Sequence, residues 1–210
     1  MSSFNSSAHS RAGGNPDPSS AFSARRFWIP ACAGMSGVLL ALPASAHPGH
    51  AESFVQGLAH PLSGADHMLA MIAVGLWASL RGAGALWAWP AAFVVAMLGG
   101  FVLGQTNGRM SVEPMILASV IALGALTAAD ARAPTTLGVI LIASFGLTHG
   151  YAHGAEAPGA SLSFPLGFMI STIGLHLAGL GAGLSLKRPA LVRLLGAGTA
   201  LGGLALALAL

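Results

Sequence analysis

Residues 85–104 read ALWAWPAAFVVAMLGGFVLG and contain no charged side chain. Twenty residues of α-helix rise about 30 Å, which matches the hydrocarbon core of a bilayer. A membrane-spanning β-strand would alternate apolar and polar residues, and residues 91–98 do not alternate. This stretch therefore predicts a transmembrane helix.

The rest of the chain has the same apolar character. Of its 210 residues, 54% are hydrophobic and 7% are charged, whereas a soluble domain carries about 25% charged residues. A chain of this size cannot bury that excess, so lipid is its expected solvent. The composition argues against a soluble enzyme, a disordered chain and a nucleic-acid-binding protein. The single cysteine, Cys32, also argues against a disulfide framework and a cysteine-based metal site.

Six apolar segments of transmembrane length are separated by short polar connections. Backbone groups in lipid must pair within their own segment, so each should be a helix. The predicted helices lie near residues 54–80, 85–104, 112–129, 136–154, 163–185 and 190–210. The predicted fold class is all-α: a polytopic membrane protein with a six-helix transmembrane bundle. Glycines spaced by four, such as Gly100 with Gly104, are interpreted as positions where helices approach closely.

The residues before the first helix have the pattern of an N-terminal extension and a cleaved signal peptide. Arg25 and Arg26 precede an apolar run, and Ala44–Ala46 has the A-x-A form of a cleavage site. We therefore expect residues 1–46 to be the extension and signal peptide, and residues 47–210 to be the six-helix transmembrane domain. The alternative is that the apolar run remains as an uncleaved anchor.

Basic residues predict the orientation of the bundle. If residue 47 lies outside, Arg109 is the basic residue of the outer connections, and the cytoplasmic side carries more, as the positive-inside rule requires. The cytoplasmic basic residues are Arg81, Arg132, Lys187, Arg188 and Arg193. We therefore expect a multi-pass protein of the bacterial inner membrane whose mature N-terminus is periplasmic.

Ionisable residues inside membrane spans are costly and mark functional sites. The first cluster of them reads HPLSGADH, from His60 to His67. The two histidines lie about two helical turns apart on one face, and Asp66 could bind a metal or orient His67. Pro61 and Gly64 allow the helix to be broken here.

The second cluster reads HGYAHGAE, from His149 to Glu156. His149 and His153 form an i, i+4 pair on one helical face, a spacing at which two imidazoles reach one cation. Glu156 adds a carboxylate to the same face. In the predicted orientation both clusters lie in the outer half of the membrane, so together they predict a metal site.

Three other histidines are weaker candidates for metal ligands. His176 lies about midway along the fifth predicted helix, where a single histidine can equally be a hydrogen-bonding partner. His47 would be the first mature residue, so its amine and imidazole could chelate a metal with His50 close by. The same two residues could instead belong to a periplasmic tail.

The two clusters resemble the motifs of the HupE/UreJ family of nickel or cobalt permeases. The resemblance rests on HPLSGADHMLAMIAVGLWA, residues 60–78, and HGYAHGAE, residues 149–156. It implies six spans after a cleaved leader and uptake of Ni²⁺ for nickel enzymes such as hydrogenase or urease. The residues that match the motifs are His60, Asp66, His67, His149, His153 and Glu156.

The expected function is secondary transport or facilitated diffusion of a divalent cation from periplasm to cytoplasm, with Ni²⁺ preferred over the alternatives Co²⁺ and Zn²⁺. Imidazole and carboxylate ligands bind such ions firmly enough to replace water and weakly enough to release them. We expect no enzymatic activity, no required cofactor, and neither a nucleotide nor a nucleic-acid partner; the partners are the metal ion and the bilayer, and a homo-oligomer is left open. The alternatives are a metal-dependent membrane enzyme and a membrane subunit that senses metal or pH.

Overall fold

The computed structural model describes residues 53–107, 111–157 and 159–209. Within these ranges every regular element is an α-helix, which confirms the all-α prediction. The helices are α1 Phe54–Ser63, α2 Ala65–Ser79, α3 Ala83–Asn107, α4 Glu113–Ala128, α5 Thr135–Glu156, α6 Ser163–Ser185 and α7 Pro189–Leu208. The predicted signal peptide and the domain boundary after residue 46 lie outside the described residues, as do His47, His50 and Arg109.

The first predicted helix, residues 54–80, is divided into α1 and α2. A capping box starts α1, since the Gln56 backbone N–H donates to Ser53 Oγ at 3.2 Å and the Ser53 N–H donates to Gln56 Oε1 at 2.7 Å. The division is at Gly64, whose φ of −101° and ψ of 119° are extended rather than helical. The break allowed by the sequence therefore exists, and the six predicted helices become seven elements of the described chain.

Four of these helices are long and apolar enough to cross a membrane by themselves: α3, α5, α6 and α7. The shorter α2 and α4 are also apolar. The chain is therefore a polytopic helical membrane protein, as the composition predicts.

Close contacts between glycine-bearing helix faces hold the bundle together. α3 lies along α5, α1 and α2 lie along α6, and α4 lies along α7. A methyl group at Gly150 of α5 would overlap the backbone of Met97 in α3, and one at Gly100 of α3 would overlap the backbone of Leu147 in α5. The backbones of α3 and α5 therefore approach each other closely at these glycines.

Two buried tryptophans pack together near the end of the bundle at which α2 ends and α3 begins. The rings of Trp77 and Trp89 have centroids 4.3 Å apart. Their Nε1 groups donate to the carbonyls of Ala131 and Thr135, each at 3.1 Å. In the predicted orientation this is the cytoplasmic end, where Arg81 also forms an ion pair with Asp130.

Candidate metal site

Four of the histidines singled out in the sequence lie together where α1, α2 and α5 meet. The ring centroids of His60 and His153 are 4.5 Å apart, and those of His67 and His153 are 4.7 Å apart. The ring of His149 lies 5.2 Å from that of His67. The two sequence clusters therefore form one site, which we call the four-histidine cluster: His60, His67, His149 and His153.

Asp66 determines which nitrogen of His67 can bind a cation. The Nδ1 of His67 lies 2.9 Å from Asp66 Oδ1. An ionised carboxylate only accepts hydrogen bonds, so Nδ1 carries the hydrogen and Nε2 carries the free lone pair. That Nε2 is buried and has no hydrogen-bond partner. Of the two roles that the sequence leaves open for Asp66, this geometry favours orienting His67.

A backbone carbonyl orients His149 in the same way. The Nδ1 of His149 lies 2.9 Å from the carbonyl oxygen of Phe145, one turn earlier in α5. A carbonyl oxygen can only accept, so Nδ1 donates and Nε2 keeps its lone pair. The Nε2 of His149 is also buried without a partner. Fixing the second nitrogen of an imidazole is how proteins orient histidines that bind metal ions.

His153 lies between the other histidines of the cluster and the carboxylate of Glu156. Its side chain is 1% exposed, and neither ring nitrogen has a hydrogen-bond partner. Its Nδ1 is 3.8 Å from Glu156 Oε2. Three residues, His60, His153 and Glu156, each offer one ligand atom. These three atoms lie within 4.8 Å of one another, which is close enough to hold a metal ion.

A cavity of about 440 Å³ adjoins the cluster. Carboxylates from three helices reach it, so it suits a hydrated cation. Its polar lining residues are Asp66, His67, Ser111, Glu113, His153 and Glu156.

Glu113 is the residue of this cavity that sequence reasoning missed. It is the first residue of α4, and its Oε2 accepts a hydrogen bond from Ser111 Oγ at 2.9 Å. No histidine stands near it in the sequence, and a glutamate followed by Pro114 is an ordinary start of a helix. Only the packing of α4 beside α2 brings it to the cavity.

His176 lies apart from the four-histidine cluster. It is buried in α6 against the ring of Phe93, at a centroid distance of 5.1 Å. Neither of its ring nitrogens has a hydrogen-bond partner.

The chemistry of the site suits a transition-metal cation. Buried polar groups normally have partners, whereas His67 Nε2, His149 Nε2 and both ring nitrogens of His153 have no hydrogen-bond partner among the described residues. Imidazole with carboxylate suits Ni²⁺, Co²⁺ and Zn²⁺, whereas Mg²⁺ and Ca²⁺ prefer oxygen ligands alone.

Comparison with known proteins identifies one family. The family model described as HupE / UreJ protein matches residues 35–206. Protein HupE from Rhizobium leguminosarum bv. viciae is 45% identical over 148 residues, which is 68% of this chain and 78% of that protein. No solved structure matches the chain.

Proposed function

The chain belongs to the HupE/UreJ family, and we propose that it carries Ni²⁺ through the inner membrane from periplasm to cytoplasm. The family is associated with nickel and cobalt transport and is not a known class of enzyme. Membership therefore supports transport of a metal ion in general. The choice of Ni²⁺, the direction and the site residues are our proposal.

One observation carries the proposal: His67 and His149 are neighbours in the four-histidine cluster, and each has its Nδ1 held, by Asp66 or by the Phe145 carbonyl, and its Nε2 buried without a partner. Most buried side-chain polar atoms have a hydrogen-bond partner. These two histidines pair one nitrogen each and leave the other for a ligand. This is the arrangement expected of imidazoles that bind a cation.

The cavity and the cluster suit successive steps of uptake. Carboxylates attract a hydrated cation into the cavity, and the imidazoles then replace its water. His67 lies near the start of α2 and Trp77 lies ten residues later, about 15 Å along the helix. The site is therefore reached from the cavity end while the tryptophans close the other end, and release to the cytoplasm requires that their contacts open.

Competition between metals tests the proposed cargo. In cells that lack other nickel importers, we expect the chain to support ⁶³Ni²⁺ accumulation that excess Co²⁺ reduces strongly and excess Mg²⁺ leaves unchanged. The reason is that imidazole ligands favour late transition metals over hard cations. Accumulation no greater than in cells without the chain would refute the proposal, and equal competition by Mg²⁺ would refute the imidazole site.

Substitution of Asp66 tests its orienting role. We expect Asp66→Ala to weaken Ni²⁺ binding by about 10–100-fold, because loss of an outer partner frees both the rotation and the tautomer of His67. Asp66→Asn should lose less, since its amide oxygen still accepts the hydrogen of His67 Nδ1. Equilibrium binding of ⁶³Ni²⁺ to the purified protein in detergent measures both. Equal losses in the two variants would indicate that the Asp66 carboxylate binds the metal directly.

A further inference from the structure

His176 is a buried titratable side chain whose role the four-histidine cluster does not explain. It is 1% exposed, and both ring nitrogens are without hydrogen-bond partners. The buried hydroxyl groups of the described helices differ from it, because each donates a hydrogen bond. Their acceptors are Ile116 O for Ser119, Leu123 O for Thr127, Leu58 O for Ser171, Met97 Sδ for Thr172 and Leu195 O for Thr199. Buried polar groups normally have a partner, so a buried imidazole without one requires an explanation.

One aromatic ring lies between His176 and the four-histidine cluster, which we call the outer site. The ring of Phe93 lies 5.3 Å from that of His149 and 5.1 Å from that of His176. His149 lies about 10 Å along α5 from its end at Glu156, and His176 lies about 20 Å along α6 from its start at Ser163. Since these two helix ends are joined by a short connection, His176 is the deeper of the two histidines.

The surroundings of His176 offer few other ligands. Thr172, one turn earlier on the same face of α6, donates to the Sδ of Met97 at 3.8 Å. A groove of about 300 Å³ between α3 and α6 also reaches His176. The rest of its lining is apolar: Trp87, Pro90, Ala91, Val94, Val95, Ile173 and Leu177. The groove between α3 and α6 therefore supplies His176 with no polar partner.

We propose that His176 is an inner binding site for the transported cation, which reaches it from the four-histidine cluster past Phe93. This inference rests on the proposed function. A divalent ion that left the cluster for an apolar interior would lose its ligands at a prohibitive cost. His176 provides the next lone pair, and the hydroxyl of Thr172 and the thioether of Met97 lie one turn away.

The two sites differ in the number and strength of their ligands, and this difference favours movement of the ion from the four-histidine cluster to His176. Several imidazoles and a carboxylate capture the ion in the outer site, whereas one imidazole with weak neutral donors holds it in the inner site. Conduction requires sites that bind firmly enough to admit an ion and weakly enough to release it. A weak last site favours release beside the Trp77 and Trp89 pair once that end opens.

Two measurements on the purified, full-length protein separate the inner site from the outer one. The first is equilibrium binding of ⁶³Ni²⁺, which reports the outer cluster, and the second is the initial rate of ⁶³Ni²⁺ uptake into proteoliposomes. For His176→Leu we expect the affinity of the four-histidine cluster for Ni²⁺ to stay within about twofold of wild type. We expect the uptake rate to fall by about tenfold or more. His176→Gln, which keeps a polar side chain, should give an intermediate rate.

Thr199→Val is the matched control. Thr199 is a buried polar residue of α7 whose hydroxyl donates to Leu195 O in its own helix at 3.1 Å. Its substitution should change neither affinity nor rate. Retained Ni²⁺ binding in the His176 variants shows that they are folded.

Each other outcome is decisive. Wild-type uptake by His176→Leu would overturn the inner site and leave the proposed function intact. Loss of both binding and uptake in the two His176 variants would mean that His176 supports the structure of the four-histidine cluster. That result would also overturn the inner site. Absence of uptake by the wild-type protein would overturn the proposed function and the inner site with it.

Discussion

Replacing either His67 or His149 by alanine should reduce ⁶³Ni²⁺ uptake to background, by more than about 100-fold. Substituting a residue that hydrogen-bonds to a metal ligand already lowers metal affinity by about 10–100-fold. His67 and His149 are the proposed ligands themselves, so we expect a larger loss. Each variant removes one buried Nε2 lone pair, together with the hydrogen bond by which Asp66 or the Phe145 carbonyl orients that imidazole. Uptake in cells without other nickel importers measures the effect, and the amount of protein in the membrane should stay at the wild-type level.

The matched control for His149 is its neighbour Thr148. The Thr148 hydroxyl donates to the Ser144 carbonyl within α5 at 3.0 Å, so Thr148→Val alters the same helix without touching the cluster. We expect its uptake to equal that of wild type. Undiminished uptake in both histidine variants would contradict the proposed site.

Replacing Gly150 by alanine should destabilise the whole bundle. An added Cβ would overlap the carbonyl oxygen and the Cα of Met97, so α5 and α3 must separate. Overpacking of this kind costs about 1–3 kcal/mol, and more where backbone atoms are the obstacle. Gly150 stands between His149 and His153 along α5, so separation of the helices also displaces the cluster. We expect a lower thermal midpoint in detergent and loss of Ni²⁺ binding.

Gly174→Ala is the control for Gly150→Ala. Gly174 lies in α6, and nothing is within 4 Å of the position that its Cβ would take. Alanine has the higher helix propensity by about 1 kcal/mol, so this variant should be as stable as wild type or slightly more so. Equal thermal midpoints for the two variants would mean that the contact between α3 and α5 does not limit the stability of the bundle.

The helices could be predicted from sequence because each is a long apolar run in a chain with few charges. The predicted sixth helix, residues 190–210, differs from α7 by two residues or fewer at each end. The separation of α1 from α2 was less predictable. Proline and glycine both permit a break, and the backbone is extended at Gly64, whereas Pro61 remains inside α1.

The site could be predicted only in parts. Costly ionisable residues mark both sequence clusters, but spacing along a helix cannot show that His60 and His153 come within 4.5 Å between ring centroids. That contact depends on how α1 packs in the bundle. The position of Glu113 at the cavity depends on the packing of α4 beside α2, and the tautomer of His149 depends on its contact with a backbone carbonyl. Neither feature leaves a pattern in the sequence.

Net movement of Ni²⁺ by the purified protein tests the central claim most directly. Proteoliposomes that contain the wild-type chain should accumulate ⁶³Ni²⁺ down an imposed gradient, and vesicles with the His67→Ala/His149→Ala double variant should behave like empty ones. A metal sensor or a metal-dependent enzyme would bind Ni²⁺ without moving it. Wild-type vesicles that bind Ni²⁺ but accumulate no more than empty vesicles would contradict a transport function.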